Sequence, residues 1–270
     1  MTRISVTSSE PSLSAAAAAR ALLWLAEAGA DENILDAGQN RFEVATEAAR
    51  PASPPAKAAV VSFPASGTLA ERASALARGC ATLAELQDAL RGFAELGLSK
   101  SASNLCFCAG AMRPRVLVLG AQPGRDEDLA GLPFADKRAL LLERMLAAIG
   151  LSAAETGDAL LANVVPFRPP GDRKPSDIEM SLCLPFVTRL IALTRPRFIL
   201  SLGALPARHL AAGDEAVTRQ RGRWLALQPE GAPPIRVMTT FAPDYLLRQP
   251  QHKRLAWADL LALREAMDGD

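Results

Sequence analysis

Four cysteines in 270 residues, at positions 80, 106, 108 and 183, are too few and too scattered for a disulfide framework. Cys106 and Cys108 stand two apart, not three apart as in a zinc or redox pair. Reduced thiols in a cytosol are expected. No apolar run approaches the ~18–20 residues of a membrane span. The opening residues lack the basic start and unbroken apolar core of a signal peptide. Arg20 interrupts "SAAAAARALLWLAEAGA", which reads instead as an amphipathic helix over residues 14–28. An excess of either charge is also missing: the net value is +1, so the whole molecule announces no acidic partner.

What is present begins with an uneven charge distribution. Between Pro166 and Arg254 there are 14 Lys plus Arg and 7 Asp plus Glu, a local excess of +7. A basic half on a neutral chain fits a face for a polyanion, or a solvated arginine-rich surface. With 49% hydrophobic and 22% charged residues, the chain can bury a sizeable core.

The texture changes along the chain. "ARPASPPAKAAVVSFPASG" reads as a linker, so residues 1–66 are expected to be a helix and a Pro/Ala-rich connector. Residues 67–95 suggest two helices, one capped by Thr68, the next by Thr82 with Glu85 completing a capping box. From 96 to 270, short apolar runs alternate with helical patterns. The runs are "RVLVLG", "DALLANVVPF", "RFILSLG" and "IRVMTTFAP". Helices are expected over 137–149, 177–193, 204–212 and 252–267. This alternation predicts a parallel sheet, here four-stranded, with helices on both faces. Sites in such sheets lie outside the carboxyl ends of the strands. The unusual residues cluster there, above all in "GAQPGRDEDLAGLPF", Gly120–Phe134, which carries far more punctuation than a plain connector needs.

At these strand ends the sequence resembles the uracil-DNA glycosylase superfamily, and family 4 most of all. That family's first motif reads G-E-A-P-G, then acidic residues and G-x-P-F; here it is "GAQPGRDEDLAGLPF". Its second resembles "LANVVPFRPPGDRKP", its third, HPSYLLR, resembles "APDYLLR", and "RFILSLGALPA" matches a further strand. The four pieces are collinear and cover roughly residues 96–267. The resemblance implies a three-layer α/β/α sandwich around a mostly parallel sheet. It implies hydrolysis of the N-glycosidic bond of uracil, or a related deaminated base, flipped out of DNA during base-excision repair. DNA, single- or double-stranded, is the implied partner of a chain expected to act as a cytoplasmic monomer.

Carried over residue by residue, the resemblance assigns roles that elementary chemistry supports. Phe134 would stack on the flipped base. Asn163, ending a buried run, would read the uracil edge, since an unpaired carboxamide there would be costly. Gly120 and Gly124 would let backbone approach the base and a phosphate. Arg168, Arg173, Lys174 and Arg248 are candidate phosphate clamps. Leu246 and Leu247 are candidate plugs for the space the base vacates; core packing is the alternative for each.

Two departures matter. The family-4 glutamate is Ala121, and the histidine that stabilises the departing uracil anion is Ala242. Losing such a donor typically costs ~10²–10³ in rate. The only histidines, His209 and His252, fall outside the motifs. Gln122 stands where a mismatch-specific branch of the superfamily places a water-positioning asparagine, and is the expected catalytic residue. "AQPG" is also similar to a uracil-crosslinking branch, but that branch needs a second-motif histidine absent here. Asp126, Glu127 and Asp128 are alternative carboxylates, or caps of the following structure. Family 4 usually carries a 4Fe–4S cluster on four cysteines. Here its first three ligand positions fall on Leu96, Ser99 and Phe167, and Cys183 alone keeps its place. No cluster and no other metal are expected, with Leu96 and Phe167 filling the volume. A catalytically weakened DNA-binding protein is the alternative reading.

Overall fold

The computed structural model describes residues 67–135, 137–210, 216–229 and 233–269. Every described residue belongs to the unit Ala56–Asp270. The helix expected over 14–28 and the linker after it lie outside the described residues.

In chain order the elements are α1 (Gly67–Gly79), α2 (Leu83–Gly92), β1 (Cys108–Gly110), β2 (Val116–Gly120), α3 (Arg125–Ala130), α4 (Lys137–Ala147), β3 (Ala159–Asn163), α5 (Asp177–Thr194), β4 (Phe198–Leu202), α6 (Ala204–Leu210), α7 (Val217–Gln220), β5 (Trp224–Leu227), β6 (Ile235–Thr240), α8 (Pro243–Arg248) and α9 (Lys253–Asp268). Helix α1 already includes Gly67, so Thr68 is not its cap. Thr82 does cap α2, accepting from the Glu85 N–H at 3.2 Å. The Glu85 carboxylate reaches back one residue further than a capping box requires, to the Ala81 N–H at 2.7 Å.

The sheet has six strands in the order β1-β3-β2-β4-β6-β5. Its centre is the expected parallel set, β3-β2-β4-β6. The four-stranded expectation is corrected at the edges, where β1 and β5 pair antiparallel with β3 and β6. Neither edge strand carries a clear sequence signal: β1 has three residues, and β5 is half-exposed along most of its length.

Both faces of the sheet are covered, which is why β2 and β4 are buried at every position. Successive side chains point to opposite faces. Leu117 and Leu119 therefore join α1, α2 and α5 in one apolar cluster. Val116 and Val118 join Leu142 and Leu146 of α4 and Leu260 and Leu263 of α9 in the other. The result is a three-layer α/β/α sandwich, with 67–95 packed into the first layer through Leu86, Leu90 and Phe93.

Candidate active site

A cavity of about 880 Å³ opens at the carboxyl ends of the parallel strands. Gly120 ends β2, Asn163 ends β3, and Leu202 ends β4; all three line it, as does Ala242 just beyond β6. Register explains the convergence: Gly120 and Asn163 are direct partners on adjacent strands. A Cβ on Gly120 would come within 2.5 Å of the Phe134 ring and 2.8 Å of Asn163 Oδ1. The glycine is required because an aromatic edge and an amide both close on that one backbone position.

Asn163 is 1% exposed. Its Nδ2 donates to the Cys106 carbonyl at 3.2 Å, which fixes the plane of the amide and turns Oδ1 toward Gly120. That bond leaves the amide one acceptor and one N–H at the cavity wall, a pair that can complement the N3–H and a carbonyl of uracil.

Phe134 holds a left-handed backbone at φ 55, an outlier for a bulky residue that must be held in place. The holder is Glu127, 1% exposed. Its carboxylate accepts from the Phe134 N–H and the Gly124 N–H, each at 2.5 Å, and pairs with Arg138. One buried carboxylate thus ties Gly124 to the Phe134 end of the Gly120–Phe134 loop. Asp128 accepts from the Ser103 and Asn104 N–H groups at 2.9 and 3.1 Å, tying the same loop to the chain before β1. Asp126 is exposed. Of this acidic run only Glu127 lines the cavity, and its oxygens are already engaged.

Gln122, half-exposed, donates from Nε2 to the Arg173 carbonyl at 2.9 Å. That bond leaves Oε1 as an acceptor beside the cavity, suited to orienting a water but not to deprotonating it. Ala121 and Ala242 line the cavity without any polar side-chain atom.

The three candidate arginine clamps each pair with a carboxylate. Arg168 forks onto Asp172 at 2.7 and 2.9 Å, Arg173 onto Glu179 at 2.8 and 2.6 Å, and Arg248 bonds Asp244 at 2.9 Å. The Arg173 bond, opposed by partial burial, pulls the Glu179 carboxyl down to about 2. Lys174 and Arg248 line the cavity, whereas Arg168 and Arg173 do not. Two further arginines do, Arg138 and Arg208; sequence reasoning passed over them because they sit within helices rather than motifs.

The proposed plug pair splits. Leu246 is 1% exposed and packs with Phe241 and Ala256, so it is a core residue, while Leu247 is 44% exposed. Helical geometry forces the split, since adjacent residues on α8 point in different directions. Behind this loop, buried Asp259 accepts from Thr240 at 2.7 Å and pairs with Arg221, bracing the end of β6. His252 hydrogen-bonds Tyr245 through Nδ1 at 2.8 Å, and both rings stack on Phe241. It is employed structurally, while the His209 side chain lies outside the described residues.

The donor set does not fit a cluster held by four thiolates. Cys183 is buried in α5 within the same apolar cluster as Leu96 and Phe167, and burial raises its thiol far above the ordinary value. Cys106 is pushed up to about 12 by burial and then by the carboxylates of Asp128 and Glu127; its thiol donates to the Glu127 carbonyl at 3.0 Å. Among the described residues, no three Cys, His, Asp or Glu are grouped to hold a metal.

Comparison with known proteins agrees with this geometry. The family model of the uracil DNA glycosylase superfamily matches residues 107–261. A type-4 uracil-DNA glycosylase of Pyrobaculum aerophilum is 30% identical over 177 residues, 62% of this chain and 86% of that protein. Type-4 uracil-DNA glycosylases of Thermotoga maritima and Saccharolobus solfataricus are 31% identical over 150 residues and 29% identical over 187 residues. These spans cover 54% and 67% of this chain and 73% and 85% of those proteins.

Proposed function

This chain belongs to the uracil-DNA glycosylase superfamily, and on that premise we propose that it is a DNA glycosylase that hydrolyses the N-glycosidic bond of uracil, or a related deaminated base, flipped out of DNA. The observation that carries the reading is the convergence of Asn163 and Phe134 on Gly120 at the mouth of β2 and β3. A flipped base needs a stacking face and a polar edge reader in one pocket. Here the edge reader is buried, oriented by a hydrogen bond and packed against the aromatic ring's neighbour.

In the reaction, the C1′–N1 bond breaks and its electron pair leaves with the base. Water held by Gln122 Oε1 adds to C1′ and gives up a proton that ends on the departed base anion, giving an abasic sugar and the neutral free base. The sugar cation develops early, so a weakly activated water suffices. Backbone at Gly120 and Ala121 lies against the base. Lys174, Arg208 and Arg248 line the opening and are the candidate phosphate contacts. Leu247, exposed on α8, is the candidate plug.

A specific observation favours a second reading, a DNA-binding member with weak or absent catalysis. Ala121 and Ala242 leave the cavity without a carboxylate or imidazole at the two positions the family uses. Gel-based excision decides between them, with single- and double-stranded oligonucleotides carrying uracil opposite guanine and adenine, and hypoxanthine alongside. Cleavable abasic product from a uracil strand supports the glycosylase. Tight uracil-DNA binding without product supports the second reading, and neither binding nor product defeats both.

A further inference from the structure

At the amino ends of the same strands lies a second cavity of about 810 Å³. Five arginines line it, Arg113, Arg115, Arg189, Arg195 and Arg197, against one carboxylate, Asp158. The chain as a whole carries +1, so this is a local concentration of charge rather than a sample of a basic surface. Gathering like charges costs free energy that an anion between them would offset.

The arrangement is partly preorganised. Arg115 donates through Nη2 to the Met267 carbonyl, and Arg189 through Nε to the Cys80 carbonyl at 2.7 Å. Each bond uses one of the guanidinium's five N–H donors and sets the direction of the rest. Arg195 stands at the end of α5 with φ 46 and ψ 56, a left-handed conformation that usually falls to glycine. The strained position carries the longest cation available. A planar guanidinium fork matches the oxygens of a phosphate.

The two cavities lie at opposite ends of the sheet. The five-residue strand β2 separates them by roughly 16 Å, at ~3.3 Å per residue. Nucleic acid seated at the first cavity therefore need not occupy the second. Apart from Pro114, Ala192, Leu193 and the Thr194 methyl, the lining offers little apolar surface for peptide side chains. We propose that this cavity binds the phosphate groups of a second nucleic-acid segment, held while the first is read at the carboxyl ends. The assignment of DNA as the source of phosphate rests on the glycosylase reading above.

The test is bridging. Protein on an immobilised uracil-free duplex is offered a labelled single-stranded oligothymidylate, and the same protein is titrated with inorganic pyrophosphate. The triple variant Arg113→Gln, Arg195→Gly, Arg197→Gln leaves Arg115 and Arg189, with their main-chain bonds, in place. Capture of the label should fall at least tenfold in the variant. The slope of log affinity against log salt for the captured strand should flatten by roughly two, as phosphate contacts are lost. Uracil excision on an isolated oligonucleotide should be unchanged within twofold. Arg195→Gly alone relieves backbone strain and should weaken capture without lowering thermal stability. Undiminished capture by the triple variant overturns the proposal. Pyrophosphate binding that the variant loses, in a wild type that captures no strand, overturns DNA as the ligand in favour of a small phosphate compound. Capture needs no excision, so a chain unable to remove uracil still answers for this cavity.

Discussion

At the scale of single residues, the candidate site is a set of backbone constraints that few side chains satisfy. Asn163 and Phe134 both press on Gly120, so their effects should separate function from folding. Asn163→Asp replaces an N–H donor with a carboxylate facing the base, and Phe134→Ala removes stacking worth ~1–3 kcal/mol per base. Each should reduce excision or uracil-DNA binding by tenfold or more, beyond what the accompanying loss of thermal stability accounts for, since Asn163 also bonds the Cys106 carbonyl and Phe134 packs on the core. Equal losses in both measurements would make them ordinary core residues. The alanine positions give the converse experiment. Ala242→His restores a donor to charge that develops only as the base leaves. The gain, roughly 10-fold or more, should therefore appear in the single-turnover rate and not in DNA affinity. Gln122→Ala should remove residual excision. An active enzyme indifferent to that change has its water held elsewhere, and only Glu127 of the neighbouring acidic run lines the cavity.

At the scale of elements, the loop between β2 and α4 is shaped by one buried carboxylate. Glu127 holds Gly124 and Phe134 through their N–H groups. Glu127→Gln exchanges one acceptor oxygen for a donor that faces N–H groups, leaving a buried donor unsatisfied at a cost of about 1–3 kcal/mol. Urea unfolding should register that loss. Excision should fall further than stability alone explains, because Phe134 loses the bond that keeps its strained backbone; unchanged excision would detach the carboxylate from the site. The start of α5 carries a pH signature. Glu179 caps the helix through the Ser176 N–H and binds Arg173, and its pKa is lowered from an ordinary 4.5 to about 2. A depressed carboxyl contributes stability that is fully present above 4.5 and is lost as pH falls toward 2. Glu179→Gln should therefore flatten the pH dependence of unfolding between those values and leave the rest of the profile intact; an unaltered acid limb would contradict the pairing.

At the scale of the whole molecule, the layers keep chemistry and packing apart. Catalytic candidates gather at the carboxyl ends of the strands, where main chain leaves the sheet and loops begin. The volume around Cys183 is apolar core shared with Leu96 and Phe167. Purified protein should accordingly be colourless, with no band near ~400 nm from thiolate-to-iron charge transfer and no stoichiometric iron. Iron and sulfide at four per chain would show that the thiols rearrange around a cluster. Positive charge is also divided by the fold. Arg168, Arg173 and Arg248 near the carboxyl ends pair with carboxylates, and the amino-end cavity is lined by five arginines and Asp158.

The sequence alone determined the parallel core, because strands buried on both faces read as unbroken apolar runs, and it pointed to the carboxyl strand ends as the candidate site, because glycines, a proline and amides cluster there. It also pointed to Asn163 and Phe134 through their place in the motifs. The edge strands β1 and β5 were illegible, since short, half-exposed segments owe their conformation to the neighbour they pair with rather than to a pattern of their own. Only the tertiary structure decided that Leu246 is core and Leu247 is surface, that Glu127 rather than Asp126 serves the loop, and that Arg138 and Arg208 reach the cavity. Each of these depends on the direction of a side chain relative to elements distant in sequence. Burial, pairing and the geometry of a pocket are properties of that arrangement, and one-dimensional spacing does not carry them.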